Sequence, residues 1–275
     1  MMDWKTFFST FDLPELHFHS VFRNNGKIFS PHDFSAEQHF HDYRELLLVA
    51  GGQNDFILGN RKLHLVPGDV VLIDSMIPHS FEYTSTDRDL QHLWFFFKDN
   101  QLRMTLYSVL PHGRYAYLHF PYILPQHIST FFTSRWNEFN QLPEIKKDSA
   151  EFYLETPFKA IIEELRISSL RNEHDNVIGN SGLIESITHY IESQNARNCS
   201  LKNLEKIFGY NSCYIAHRFK KETGSTPGQY INRIRKSFTE DALARGLKQK
   251  EIAVQLGFSS PAAFWKWFKN NMQSY

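Results

Sequence analysis

Residues 200–235 read SLKNLEKIFGYNSCYIAHRFKKETGSTPGQYINRIR, and their punctuation decides the fold of the last third of the chain. Ser200 is a helix cap ahead of Leu201, Leu204, Ile207 and Phe208, which share a helical face, and Gly209 is the stop that follows. Tyr210-Asn211-Ser212 reads as a polar turn. CYIAHRFKKE then forms a second, basic helix closed by Thr223-Gly224. The design recurs further on. Lys248–Leu256 is a short helix, Gly257 stops it, Phe258-Ser259-Ser260 turns the chain, and Pro261 opens AAFWKWFKNN. Between the two units Thr226 caps and Pro227 starts a helix running to Ala244, roughly 27 Å long at 1.5 Å per residue. Each unit is thus a short helix, a Gly-aromatic-polar turn and a basic helix. This is the helix-turn-helix arrangement, whose second helix enters a DNA major groove. A capped rod between them suits two such helices held near the spacing of successive major grooves, roughly 34 Å.

Charge points the same way. The 275-residue chain is formally neutral, yet residues 179–275 carry 14 Lys+Arg against 7 Asp+Glu, which leaves 16 against 23 for residues 1–178. An acidic front and a basic back predict that the C-terminal part meets a polyanion. The length suits two domains, and 41% hydrophobic with 22% charged residues excludes wholesale disorder. Two cysteines, Cys199 and Cys213, exclude a disulfide scaffold and fit a reducing cytoplasm. No apolar run approaches the roughly 18 residues of a membrane helix, and MMDWKTFFST lacks the apolar core of a signal peptide.

The runs FGYNSCYIAHRFKKETGSTPGQYINRIR (208–235) and IAVQLGFSSPAAFWKWFK (252–269) closely resemble the AraC/XylS-type transcription regulators, over roughly Leu183 to Asn271. The resemblance implies a seven-helix DNA-binding domain at 183–275 with two helix-turn-helix units. It also implies double-stranded DNA as partner, a homodimer, and contact with RNA polymerase. By position it implies that Cys213, Ala216 and His217 in one reading helix, and Ala262, Trp265 and Lys266 in the other, face base edges. His217 and Lys266 are donors suited to guanine, Ala216 and Ala262 suit thymine methyls, and Cys213 and Trp265 offer apolar contact. Arg218, Lys220, Lys221, Arg233, Arg235, Lys236 and Lys269 are the expected phosphate partners. Phe208, Ile215, Phe219, Leu256, Phe258, Phe264 and Phe268 are expected in the core. One departure stands out. Glu205 occupies a position where the family usually has a small Ala, which Ala253 keeps in the second unit.

Residues 1–172 read as a different domain, followed by a linker at 173–182 where the apolar period is lost. Up to Tyr122, short apolar runs alternate with turn signals such as Gly51-Gly52, Gly59-Asn60 and Pro67-Gly68-Asp69. They predict an antiparallel β-barrel of cupin or jelly-roll type. Helical spacing over Gln126–Leu142 and Glu151–Arg171 predicts two flanking helices, suited to pack on the barrel and on a second subunit. The chain is therefore an α+β multidomain protein.

His39-Phe40-His41-Asp42-Tyr43-Arg44-Glu45 resembles the first signature of cupin barrels, and Pro67-Gly68-Asp69 with Pro78-His79 the second. Strand alternation puts His39, His41 and Glu45 on one side, with His79 arriving from a neighbouring strand. These four, with Tyr83 and Trp94 at the mouth, are the candidate effector pocket, and the aromatic rings suit a sugar. The same three imidazoles and carboxylate are also a candidate set for a divalent transition metal. The leading expectation is a cytoplasmic, ligand-responsive transcription regulator that is not an enzyme and requires no cofactor. The alternative is a metal-dependent cupin enzyme with a helical oligomerisation tail, and stoichiometric metal in the purified protein separates the two.

Overall fold

The computed structural model describes residues 4–20, 38, 40–41, 43–81, 89–98, 101–110, 114–122, 124–142, 150–170 and 182–272. It divides into a sheet-based unit (1–29 and 43–178) and a helical unit (30–42 and 179–275). The linker read at 173–182 lies, up to residue 181, outside the described residues.

The sheet unit opens on α1 (Trp4–Thr10). Among the described residues nine strands follow: β1 (His17–Ser20), β2 (Arg44–Gly51), β3 (Asn54–Leu58), β4 (Arg61–Leu65), β5 (Asp69–Ile73), β6 (His79–Phe81), β7 (Gln91–Lys98), β8 (Gln101–Leu110) and β9 (Arg114–Tyr122). Two helices, α2 (Gln126–Asn140) and α3 (Ala150–Leu170), complete it. One sheet has the order β1-β5-β2-β7-β8-β9 and the other β4-β3-β6. Here the structure departs from the predicted barrel. Among the described residues the two sheets are not closed by strand pairing, and β1 runs parallel to β5 rather than antiparallel. Alternation fixes which side chains face inward but leaves open which strand pairs with which.

The two faces of the large sheet have different partners. Leu46 and Leu48 of β2, Val70 and Leu72 of β5, and Leu93 and Phe95 of β7 share a core with Phe7, Phe8, Phe132, Trp136, Phe158 and Ile162 of the three helices. α1 was not anticipated from the sequence. Its Phe7 and Phe8, with Phe11 just beyond, bury it in that core. The opposite parity, Leu47, Val49, Val71 and Ile73, packs with Phe56, Leu58 and Leu65 of the small sheet. Gly68 fixes the start of β5. Its φ is +99°, its N–H donates to the Val49 carbonyl (2.9 Å), and its carbonyl accepts from the His17 N–H (3.0 Å).

The helical unit holds α4 (Gly182–Ser193), α5 (Leu201–Phe208), α6 (Ser212–Thr223), α7 (Pro227–Ala244), α8 (Gln249–Gln255) and α9 (Pro261–Met272). That makes six helices among the described residues, where the resemblance implies seven. Their ends follow local chemistry. Ser200 Oγ accepts from the Asn203 N–H, and Gly209 ends α5 at φ +72°. Thr226 and Gln229 form a capping box ahead of α7, with Pro227 in its first turn. Ile184, Ile187 and Ile191 of α4 share a core with Leu204, Ile215, Phe219, Tyr230 and Ile231. The far half of α7 buries Phe238, Thr239 and Ala242, and Ile252, Ala253, Leu256 and Phe264 are buried beyond it. After α4 the chain makes a strained turn in which Asn195, Ala196 and Asn198 all take positive φ. Among the described residues no helix is long and apolar enough to cross a membrane.

Candidate functional site

α6 presents two faces. Ile215 and Phe219 are buried, while Cys213, His217, Lys220 and Lys221 are exposed and Ala216 is half-buried. A helix that sinks one stripe and offers donors on the other has the form of a reading helix. α9 repeats this. Phe264 is buried, Trp267 Nε1 donates to Asn232 Oδ1 of α7 (3.0 Å), and Ala262, Trp265, Lys266 and Lys269 are exposed. Anchoring Trp267 fixes the roll of α9 and thereby turns Ala262, Trp265 and Lys266 outward. Lys269 sits over the Trp265 ring at 5.2 Å, and Trp265 stacks on Phe268. Of the residues expected in the core, Ile215, Phe219, Leu256 and Phe264 are buried, and Phe208, Phe258 and Phe268 are half-buried.

The expected phosphate partners fall into distinct environments. Lys220, Lys221, Arg233 and Lys269 are exposed, and Lys236 is half-buried. Arg218 is engaged along its own helix. Its guanidinium donates through Nε (2.7 Å) and Nη2 to the Glu222 carboxylate and through Nη1 to Tyr214 Oη (2.9 Å). These partners hold its pKa above the ordinary arginine value, the Glu222 hydrogen bond foremost. Arg233 lies 4.5 Å from the Tyr230 ring. Arg235 is half-buried. It donates to the Ala196 carbonyl in the strained turn (Nη2, 3.3 Å) and lies 5.0 Å from the Phe258 ring, at the turn before α9. Burial lowers its pKa, and burial raises that of nearby Cys199 to about 12, so the thiol stays protonated.

In the sheet unit, Glu45 of β2 and His79 of β6 are both buried, with Oε2 and Nε2 3.4 Å apart. His79 therefore faces Glu45 from the opposite sheet. His41 is buried and lies in the 30–42 segment that groups with the helical unit. His39 and Tyr83 lie outside the described residues. Trp94 of β7 is half-buried between the sheets, 6.3 Å from Phe56 and stacked on Phe96.

The structure adds polar residues that were not singled out from the sequence. His92 and Trp94 share parity on β7, their β8 partners are Tyr107 and Thr105, and Asn54 faces inward from β3. His92, Tyr107, Thr105 and Asn54 are all buried. Burial alone pushes the His92 imidazole down to about 3, so it is neutral at physiological pH. Neither amide atom of Asn54 has a hydrogen-bond partner among the described residues. The period-2 parity of His92, Trp94 and Phe96 was the available signal, hidden inside what reads as one apolar run.

Two family models match the chain: a helix-turn-helix domain over residues 204–274 and an AraC-like ligand binding domain over residues 27–130. The multiple antibiotic resistance protein MarA of Escherichia coli is 37% identical over 92 residues, which cover 32% of this chain and 69% of MarA. YbfI of Bacillus subtilis, an HTH-type transcriptional regulator, is 25% identical over 80% of this chain and 78% of its own length. Among solved structures, ToxT from Vibrio cholerae aligns over 85% of this chain and 88% of its own, with 15% identity and a TM-score of 0.31. With its basic, outward-facing helices joined to a ligand-binding sheet unit, the chain belongs to the AraC family of helix-turn-helix transcription regulators.

Proposed function

We propose that both helix pairs, α5–α6 and α8–α9, are helix-turn-helix units that read one promoter segment. In this reading Cys213, Ala216 and His217 meet one major groove, and Ala262, Trp265 and Lys266 the next. The sheet unit is the cupin-like sensor of a small polar metabolite, a sugar or a related compound. The observation that carries this is the matched exposure of α6 and α9: each buries an apolar side and turns the predicted reading residues to solvent, Ala216 alone being half-buried. Ligand acts through different affinities for two arrangements of the protein. A cytoplasmic homodimer that contacts RNA polymerase completes the reading. Exposed Phe152, Ile167 and Leu170 on α3 support a second copy docking there.

The test is selection of duplexes from a randomised pool by the full-length protein, followed by titration at several salt concentrations. His217→Ala and Lys266→Ala are each expected to cost roughly 1–3 kcal/mol of discrimination at their own base pair. Lys220→Ala is expected to weaken all sequences alike and to lower the salt slope by about 1. Equal losses on selected and scrambled duplexes for all three variants would overturn the assignment of readers.

The sensor has its own prediction, carried by Asn54, whose buried amide, unpartnered among the described residues, we take as an effector contact. Replacing a buried amide that lacks partners by an apolar group of similar size removes a desolvation cost of roughly 1 kcal/mol. Asn54→Leu is therefore expected to raise the melting temperature of the free protein by about 2–4 °C. In a thermal-shift screen against sugars and sugar acids, the same variant is expected to lose the stabilisation that the wild type gains from its ligand. A variant that melts lower and keeps its ligand response contradicts the placement of Asn54 in the effector site.

A further inference from the structure

Glu205 breaks the internal repeat of the helical unit, because the equivalent position in the second pair is the buried Ala253, four residues before the stop glycine in each case. The carboxylate lies on α5 but acts on α6. Glu205 Oε2 accepts from the backbone N–H of Ser212 (3.3 Å) and from the Ser212 hydroxyl. Ser212 is the first residue of α6, and the next N–H, that of Cys213, donates to Oδ1 of the cap residue Asn211 (2.8 Å). The opening turn of α6 therefore receives one acceptor from its own cap and one from the preceding helix. α9 begins differently. Pro261 has no N–H to satisfy, and Ser260 Oγ accepts from the Ala263 N–H (3.1 Å), so its start is closed by its own cap.

We infer that Glu205 is a positioning residue for α6: by binding both Ser212 groups it fixes the first turn of that helix, which carries Cys213, Ala216 and His217, against α5. A negative charge at a helix N-terminus is favourable to the exposed N–H groups, and a bond between two helices sets their relative roll and tilt in a way that a cap within one helix does not. The inference rests on the reading of α6 and α9 as two separate DNA readers, and it assigns Glu205 to one of them alone.

The experiment uses the full-length protein and the same randomised duplex pool. The wild type is expected to select two blocks of base preference about one helical turn apart. Glu205→Gln keeps an oxygen that accepts from Ser212 and is expected to select both blocks. Glu205→Ala is expected to flatten one block, with preference there falling about fivefold, and to leave the other unchanged. Ser212→Ala removes the hydroxyl donor and is expected to flatten the same block to a lesser degree. If Glu205→Ala loses its helical circular dichroism, Ser212→Ala carries the test. Two intact blocks in the variants overturn the role of Glu205 alone, as does equal flattening of both blocks in a folded variant. A wild type that selects no sequence overturns the DNA reading, and this inference with it.

Discussion

Gly68→Ala is expected to destabilise the sheet unit by about 3 kcal/mol or more, seen as a fall of roughly 6–12 °C in melting temperature. Two costs combine. A φ of +99° is strained for any residue with a Cβ, and a Cβ built there would lie 2.3 Å from the carbonyl oxygen of Glu15. That contact is with backbone, so relief requires moving the chain that leads into β1. The same glycine receives the first β1 hydrogen bond through its carbonyl and ties the turn to Val49 through its N–H. Pushing Glu15 away therefore unpairs His17–Ser20 from Asp69–Leu72. Gly228→Ala is the control, since a Cβ there meets nothing within 4 Å and the backbone is helical. That change is expected to be neutral or mildly stabilising. A Gly68→Ala protein that melts with the wild type would mean the turn is not built this way.

Arg235→Ala is expected to lower the stability of the helical unit by about 2 kcal/mol, from loss of a charged hydrogen bond and a ring contact. It is also expected to weaken binding to every DNA sequence. The geometry of Arg235 separates this from the loss of a phosphate contact. Its Nη2 holds the carbonyl of Ala196, a non-glycine residue in the left-handed region, and its guanidinium covers Phe258. The variant should bind DNA with an unchanged salt slope and a lower melting temperature, whereas Lys220→Ala should do the reverse. Arg235→Lys keeps the charge without the planar donor fork and is expected to fall between wild type and alanine. A reduced slope with unaltered melting would return Arg235 to the phosphate backbone.

The helical unit was the more legible half, for a physical reason. Its ends are written in residues that act within three or four positions: Ser200 on Asn203, Asn211 on Cys213, Thr226 with Gln229. Such chemistry survives without tertiary context, and α7 runs from Pro227 to Ala244 as read. The burial of Arg235 was not legible, because it depends on a turn 39 residues earlier in the chain. In the sheet unit Pro67-Gly68-Asp69 signalled its turn correctly: the Asp69 carboxylate accepts from the Val66 N–H (2.7 Å). Strand pairing is not encoded locally, so the sheet that carries His79 was not legible, and the expected closure of the sheets is not seen among the described residues. α1 escaped because its seven residues make about two turns, too few for a helical period to show.

α7 belongs to two cores at once, with Tyr230 and Ile231 in the first and Phe238 and Ala242 buried further along. The outward faces of α6 and α9 are thus coupled through the peptide hydrogen bonds of one continuous helix, which stretches and bends far less readily than a loop. In the proposed function these two faces are the jaws of a caliper locked at a single width. On the proposed reading of α6 and α9 as two DNA readers, any duplex whose groove spacing or twist differs from that gauge must itself bend or unwind to be gripped, and its stiffness becomes part of the selection.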